Sequence, residues 1–445
     1  MTDGRSPLSG TSPPGPVADQ GGGPYRVMVC DDSAVIRGLI SRSLEADPEI
    51  HVVTTVSNGQ MALSALARHS IEVCILDIEM PVMDGLTALP KMIEAQPDLQ
   101  VVMASTLTRR NAEISMKALA AGAADYLAKP TTSMALNAAA DFKAELAAKV
   151  KALGAARRRA AGIAVPHLQG PTAAPAHAPA HSPAAQAPAP IHRPIGAPAA
   201  PSPIQTGTPH AGSTHVVSPA ARPTGAPGLA PLRPTAPAAG RGPLSLRPAP
   251  TEVPEIIAIG SSTGGPQALF AVLAALKPGL QQPIVITQHM PATFTTILAE
   301  HIERASGIPT HEAADGMALQ GGHIYVAPGE FHMTIEAHGA QKIVKLLKTP
   351  PENYCRPSVD PMLRSLIKLY ARRIFTVILT GMGQDGLKGS EAVVAAGGAI
   401  IAQDEATSVV WGMPGAVATA GLCSAVLPLA EIAPYVRKVA TRAGA

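Results

Sequence analysis

The chain has 445 residues, of which 46% are apolar, 15% charged and 3% aromatic, with a formal net charge of +3. That length predicts two or three domains with real cores, and so small a charge excludes nucleic acid as the main partner. Four cysteines stand far apart with no Cys-x-x-Cys pair, excluding a disulfide scaffold and a cysteine zinc site.

No apolar run reaches the ~18 residues of a membrane span, so the chain is not expected to be membrane-embedded. Residues 1–24 hold Pro, Gly and Ser but no apolar signal segment, and read as a disordered lead-in to a soluble, cytoplasmic protein. From residue 25 strand-length apolar runs alternate with helical patterns. Strands are expected at 25–30, 51–56, 73–77, 101–105 and 124–129, with helices at about 33–46 and 59–68 and a closing helix from about 132 to 155. Near-continuous apolar strands alternating with helices predict a doubly wound parallel sheet, placed at 25–145.

The composition then shifts. No Asp or Glu occurs between Glu145 and Glu252, and residues 166–250 hold 21 of the chain's 45 prolines. Such a segment cannot bury enough apolar surface to offset its ordering entropy, which predicts a Pro/Ala-rich flexible linker over 146–253. Sparse arginines and absent aromatics weigh against an RNA-binding tail. A second α/β domain follows at 254–445. Its expected strands are 255–260, 283–289, 374–381 and 399–403, with a helix over 266–276, a further helix after Pro357 and another over about 429–441. Residues 323–327 and 331–336 read as two strands joined by a turn at 328–330. The fold class is therefore two doubly wound parallel-sheet domains joined by a disordered linker.

In doubly wound sheets ligands bind beyond the carboxyl ends of the strands. In the first domain those ends carry Asp31 and Asp32, Asp77, Ser105 and Lys129. Three carboxylates on one edge repel unless a cation intervenes, and oxygen ligands of this kind suit Mg²⁺. Lysine supplies a movable charge for phosphate, and an aspartate can accept a phosphoryl group. In the second domain the first strand ends in Gly260-Ser-Ser-Thr-Gly-Gly265 before Pro266 opens a helix. The spacing is neither G-x-G-x-x-G nor a Walker loop. The next strand ends in His289, and strand 374–381 leads to Asp385. A serine needs a base, and a base needs an orienting carboxylate, so these residues can form a Ser-His-Asp triad. Residue types alone leave open whether Ser261 or Ser262 attacks.

Residues 25–131 resemble the response-regulator receiver family in Asp31-Asp32, Ile75-Leu-Asp-Ile-Glu-Met-Pro81, Asp84-Gly85, Ser105, Tyr126 and Lys129-Pro130. The resemblance implies Asp77 as phosphoacceptor, with Mg²⁺ held by Asp31, Asp32 and Asp77. It also implies Ser105, Tyr126 and Lys129 as the phosphorylation switch. Residues 254–437 resemble the catalytic domain of the chemotaxis protein-glutamate methylesterases. The matching segments are Ile259-Gly-Ser-Ser-Thr-Gly-Gly265, Ile286-Thr-Gln-His-Met-Pro291, Ile324-Tyr-Val-Ala-Pro-Gly329, Arg356-Pro-Ser-Val-Asp360, Ile378-Leu-Thr-Gly-Met-Gly-Gln-Asp-Gly386 and Gly412-Met-Pro414. This resemblance implies Ser262 as nucleophile, His289 and Asp385 as its partners, and Met382 as a backbone donor to the oxyanion. It further implies demethylation of receptor glutamate esters and deamidation of receptor glutamines, with no cofactor for the esterase step. The implied partners are methyl-accepting chemoreceptors and a histidine kinase as phosphodonor. The rival reading is a receiver joined to an output domain that only binds, but residues 255–445 show no basic recognition helix.

Overall fold

The computed structural model describes residues 22–106, 108–129, 136–163, 165, 244–277 and 279–441, the side chains of 136–141 aside. Most of the expected disordered start and of the expected linker, Pro130 and the first turn expected of the closing helix lie outside the described residues.

The first domain is built from β1 (Tyr25–Cys30), α1 (Ala34–Glu45), β2 (Ile50–Val56), α2 (Gly59–Leu66), β3 (Val73–Asp77), α3 (Gly85–Ala95), β4 (Gln100–Ser105), α4 (Arg109–Ala120), β5 (Asp125–Ala128) and α5 (Leu136–Ala160). All five strands run parallel in the order β2-β1-β3-β4-β5. Apolar side chains from β1 and β3 are buried on both faces of the sheet, as a sheet covered by helices on each side requires. Each of the first four helices starts on a polar cap: Ser33, Asn58, Asp84 and Thr108 accept from the amide three residues on. Helix α5 continues to Ala160, past the helix end expected at about 155 and into the segment expected as linker. Its last turn is the reason. Arg158 donates Nε and Nη2 to the buried Glu72 carboxylate at 2.6 and 2.7 Å, and its guanidinium stacks 4.5 Å from the Tyr25 ring.

The second domain contains β6 (Ile256–Ser261), α6 (Gly265–Leu276), β7 (Ile284–Gln288), α7 (Ala292–Ser306), β8 (Thr310–Glu312), β9 (Ile324–Val326), β10 (His332–His338), β11 (Gln341–Leu347), α8 (Val359–Tyr370), β12 (Ile374–Ile378), α9 (Leu387–Ala395), β13 (Ala399–Gln403), α10 (Met413–Thr419), β14 (Cys423–Leu427) and α11 (Leu429–Ala440). Seven strands form a parallel sheet in the order β14-β13-β12-β6-β7-β9-β8. The chain starts in the middle at β6, winds outward through β7 and β9, then returns to the other side of β6 with β12. That reversal is the switch point at which open α/β sheets gather ligands. The expected hairpin of 323–327 with 331–336 is corrected. β9 belongs to the parallel sheet, while β10 pairs antiparallel with β11 in a separate ribbon. The Pro-Gly-Glu segment therefore connects two sheets rather than turning within one.

Both domains lie in one contact unit, and a single apolar cluster runs from the helices of the first domain into α7. Helix α4 packs on α6 and α7. Tyr126 stacks on Phe294 with ring centroids 4.6 Å apart, Arg109 pairs with Glu300 at 2.9 Å, and Gln267 donates to the carbonyl of Ala123. Among the described residues no helix is long and apolar enough to cross a membrane.

Candidate active site

The first domain gathers its polar residues on one sheet edge, as expected. Asp31 follows β1, Asp77 ends β3, Ser105 ends β4 and Lys129 follows β5. The Lys129 ammonium bridges Asp31 at 2.7 Å and Asp77 at 2.6 Å. Burial raises the Asp77 carboxyl above its ordinary range, and contact with Lys129 opposes but does not cancel this. Burial alone would lower the Lys129 ammonium, but its two carboxylate partners outweigh that and raise it. Oxygens of Asp31, Asp32 and Asp77 come within 4.8 Å of one another. Three carboxylates from two strand ends make the all-oxygen donor set that a hard divalent cation takes, so the residues fit Mg²⁺. Ser105 is buried and shares a 3.3 Å hydrogen bond with Ser115. Tyr126, one strand over, stacks on Phe294 of the second domain.

In the second domain three neighbouring strands at the switch point deliver the three expected side chains. Ser262 follows β6, His289 follows β7, and Asp385 lies on the loop after β12. The two candidate serines separate cleanly. Ser261 is fully buried and donates to Gln288 Oε1 at 2.6 Å, so its hydroxyl is consumed by the core. Ser262 is half-buried. Its backbone is pinned by Ser262 N–H donating to Thr380 O at 3.0 Å and by Gly265 N–H and Gln288 Nε2 donating to its carbonyl at 2.7 and 3.0 Å. Gly264 has a φ of +74°, a left-handed turn that lets α6 begin immediately behind the serine. Gly381 lies so close that a Cβ there would stand 2.9 Å from the Ser262 Cβ, which brings the Gly381-Met382-Gly383 loop alongside the hydroxyl. Among the described residues the Met382 N–H has no protein acceptor.

Asp385 is buried and densely held. It accepts from His289 Nε2 at 2.7 Å, Ser358 Oγ at 2.7 Å, Val359 N–H at 2.6 Å, Asp360 N–H at 3.2 Å and Asn353 Nδ2 at 2.8 Å. Two of these donors are the first amides of α8, whose own N-cap Ser358 makes no side-chain cap bond. Asp385 thus caps α8 from another element. Burial pushes its carboxyl up, but His289 and these donors outweigh that and hold it at about 2. Burial pushes the His289 imidazole down, but its bonds to Asp385 and then to Cys355 raise it to about 10. The contact to Asp385 assigns the proton to Nε2. The other ring nitrogen, Nδ1, faces Cys355 Sγ at 3.3 Å. No hydrogen bond joins Ser262 Oγ to His289 in this arrangement.

Sequence reading missed Asn353, Cys355, Ser358 and Asp360 as parts of the site. Three of them lie in or beside the Arg356-Pro-Ser-Val-Asp360 segment, which signalled a resemblance but no role. Asp360 accepts from Gly389 N–H at 2.7 Å and from Asn353 Nδ2 at 3.0 Å. Burial, reinforced by neighbouring Asp385, raises its carboxyl.

Residues 257–436 match the CheB methylesterase family and residues 27–141 the response regulator receiver domain family. The chain is 54% identical over 424 residues to the protein-glutamate methylesterase/protein-glutamine glutaminase 1 of Rhodospirillum rubrum, covering 95% of this chain and 96% of that one. It is 52% identical over 455 residues to the protein-glutamate methylesterase/protein-glutamine glutaminase of Azospirillum brasilense, covering all of both. The crystal structure of the Thermotoga maritima CheB methylesterase catalytic domain is 39% identical to it with a TM-score of 0.41, covering 42% of this chain and 98% of that one. With more than half of its residues shared along nearly its full length, the chain belongs to the family of the protein-glutamate methylesterase/protein-glutamine glutaminases.

Proposed function

We propose that this protein hydrolyses γ-methyl esters of chemoreceptor glutamates and deamidates receptor glutamines in the cytoplasm, under the control of phosphorylation at Asp77. The observation that carries the reading is the delivery of Ser262, His289 and Asp385 by three adjacent strand ends, with His289 held on Asp385 at 2.7 Å. Ser262 Oγ attacks the ester carbonyl carbon and passes its proton to His289 Nδ1 of the neutral ring, the nitrogen that does not face Asp385. The tetrahedral oxyanion is held by the Met382 N–H and the amide end of α6. Methanol leaves with the proton from His289. Water activated by the same nitrogen then cleaves the acyl-enzyme and regenerates Ser262. With a glutamine substrate the leaving group is ammonia. Before attack, Nδ1 must exchange Cys355 for Ser262.

Asp77 takes a phosphoryl group from a phosphohistidine of the partner kinase. Bound by Asp31, Asp32 and Asp77, Mg²⁺ supplies positive charge against the transferring group. Lys129 then exchanges its bond to Asp77 for the phosphoryl oxygens, and Ser105 turns from Ser115 toward the new charge. Tyr126 couples this to the esterase, because its stacking partner Phe294 sits in the first turn of α7, just after His289. The docked receiver restrains the catalytic domain, and phosphorylation weakens the restraint.

The test is methanol release from a methylated receptor, with and without acetyl phosphate and Mg²⁺. The reading requires release by the wild-type chain, stimulation by the donor, and no release by Ser262→Ala. Equal release by Ser262→Ala and the wild type would overturn it.

A further inference from the structure

Tyr354 is fully exposed, at 102% of its reference surface, and it is the only one of the chain's twelve aromatic residues so placed. It also stands in an unfavourable backbone. Residues 352–355 form a two-residue turn closed by reciprocal bonds, Glu352 N–H to Cys355 O at 3.1 Å and Cys355 N–H to Glu352 O at 2.9 Å. Both central residues are left-handed, Asn353 at φ +52° and Tyr354 at φ +63°. Mirror-type turns of this kind favour Asn at the first position and Gly at the second. The first preference is met and the second is not. A bulky side chain in this region is strained and persists only where the surroundings over-determine it.

The surroundings do so. Asn353 Nδ2 is clamped between Asp360 and Asp385. The Glu352 carboxylate takes Arg364 Nη2 on both oxygens, at 2.6 and 2.8 Å. Cys355, the next residue along, touches the His289 base. A rigid turn anchored on the catalytic aspartate thus holds one aromatic ring out into water at the rim of the active site. Among the described residues the ring contacts nothing that offsets its strain.

We infer that Tyr354 is the docking residue for the protein substrate, packing against apolar side chains of the polypeptide segment that flanks the reacting glutamate. The inference rests on the esterase reading and names what that site recognises beyond the ester itself. A rigid tyrosine with few rotors and an amphipathic ring is the side chain that most often anchors a protein interface. Its attachment to the turn that carries Cys355 and Asn353 fixes the docked segment relative to His289 and Asp385.

The experiment compares the full chain with Tyr354→Ala, Tyr354→Phe and Tyr354→Gly on two substrates, a methylated receptor followed by methanol release and p-nitrophenyl acetate. Tyr354→Ala and Tyr354→Gly should lower kcat/KM for the receptor at least tenfold more than for p-nitrophenyl acetate, mainly through KM. Tyr354→Phe should restore receptor turnover. Tyr354→Gly should also raise the melting temperature by relieving the left-handed strain, separating a docking role from a structural one. Receptor turnover unchanged in Tyr354→Ala overturns the inference. So does an equal loss on both substrates, which would make the turn a support for His289 alone. A wild-type chain that cleaves p-nitrophenyl acetate but releases no methanol from the receptor overturns the esterase reading itself.

Discussion

Replacing Tyr126 by alanine isolates the strength of the contact between the two domains. The ring is buried, stacks on Phe294 at 4.6 Å, and carries Lys149 Nζ 5.3 Å from its centroid on the receiver side. An aromatic stack contributes about 0.5–1.5 kcal/mol beyond its area, and burying an aromatic side chain about 1.5–3 kcal/mol. Only the part of the ring facing Phe294 belongs to the docking equilibrium, so the loss there is about 2 kcal/mol, or ~30-fold in the docked-to-undocked ratio. The Arg109–Glu300 pair is a useful contrast. Its side chains are 67% and 44% exposed, so Arg109→Ala should change the ratio less than about fivefold. The assay is the initial rate of methanol release without phosphodonor. Tyr126→Ala should raise it toward the phosphorylated ceiling and shrink the stimulation by acetyl phosphate. Tyr126→Leu, which refills the receiver side, should fall between. If Tyr126→Ala keeps a folded receiver by thermal melting and its basal rate stays within twofold of wild type, the stacked contact does not hold the restraint.

Ser262→Ala should abolish ester hydrolysis with the melting temperature nearly unchanged, whereas Ser261→Ala should retain chemistry and lose about 1–3 kcal/mol of stability, because Gln288 Oε1 loses its buried donor. Comparing rates and melts of the two variants checks this. Asp77→Asn should keep the basal rate and abolish the response to acetyl phosphate with Mg²⁺, read in the same methanol assay. The raised His289 adds stability that is fully present below its ordinary value of ~6.5 and is lost as pH climbs toward about 10. The depressed Asp385 adds stability present above ~3.9 that is lost as pH falls toward about 2. Urea midpoints should therefore decline on both flanks, and Asp385→Asn should flatten both. Cys355→Ala removes one of the two partners that raise His289, so the rise of esterase rate with pH should move to lower pH. An unshifted profile would mean that the sulfur does not compete for Nδ1.

The β-strands at both switch points were legible because a parallel strand covered on both faces must be a continuous apolar run. β1, β3, β6 and β12 fell close to their expected bounds for that reason. The lysine-rich β11 was not legible, since its half-exposed ribbon carries no such run, and β8 is too short to show a pattern. The end of α5 was misplaced because its anchor is an ion pair between Arg158 and Glu72, which no periodicity reveals. The choice between Ser261 and Ser262 needed the family resemblance, and the packing around Gln288 supplies its physical ground. The cluster of Asn353, Cys355 and Asp360 was invisible for a different reason. Its members become neighbours of His289 and Asp385 only when a turn between two sheets folds back on the switch point, and nothing local in the sequence encodes that return.

The double duty of Asp385 bears on how such a protein decays when its activity is no longer needed. The same carboxylate orients His289 and caps the amides of α8, so losing it frays a helix as well as silencing catalysis. Ser262 carries no such second burden, since among the described residues its hydroxyl makes no hydrogen bond. In a lineage drifting toward a purely regulatory protein the serine should be the first of the triad to vary. The aspartate should persist long after the chemistry has gone, so a retained aspartate is weak testimony of a living enzyme while a retained serine is strong.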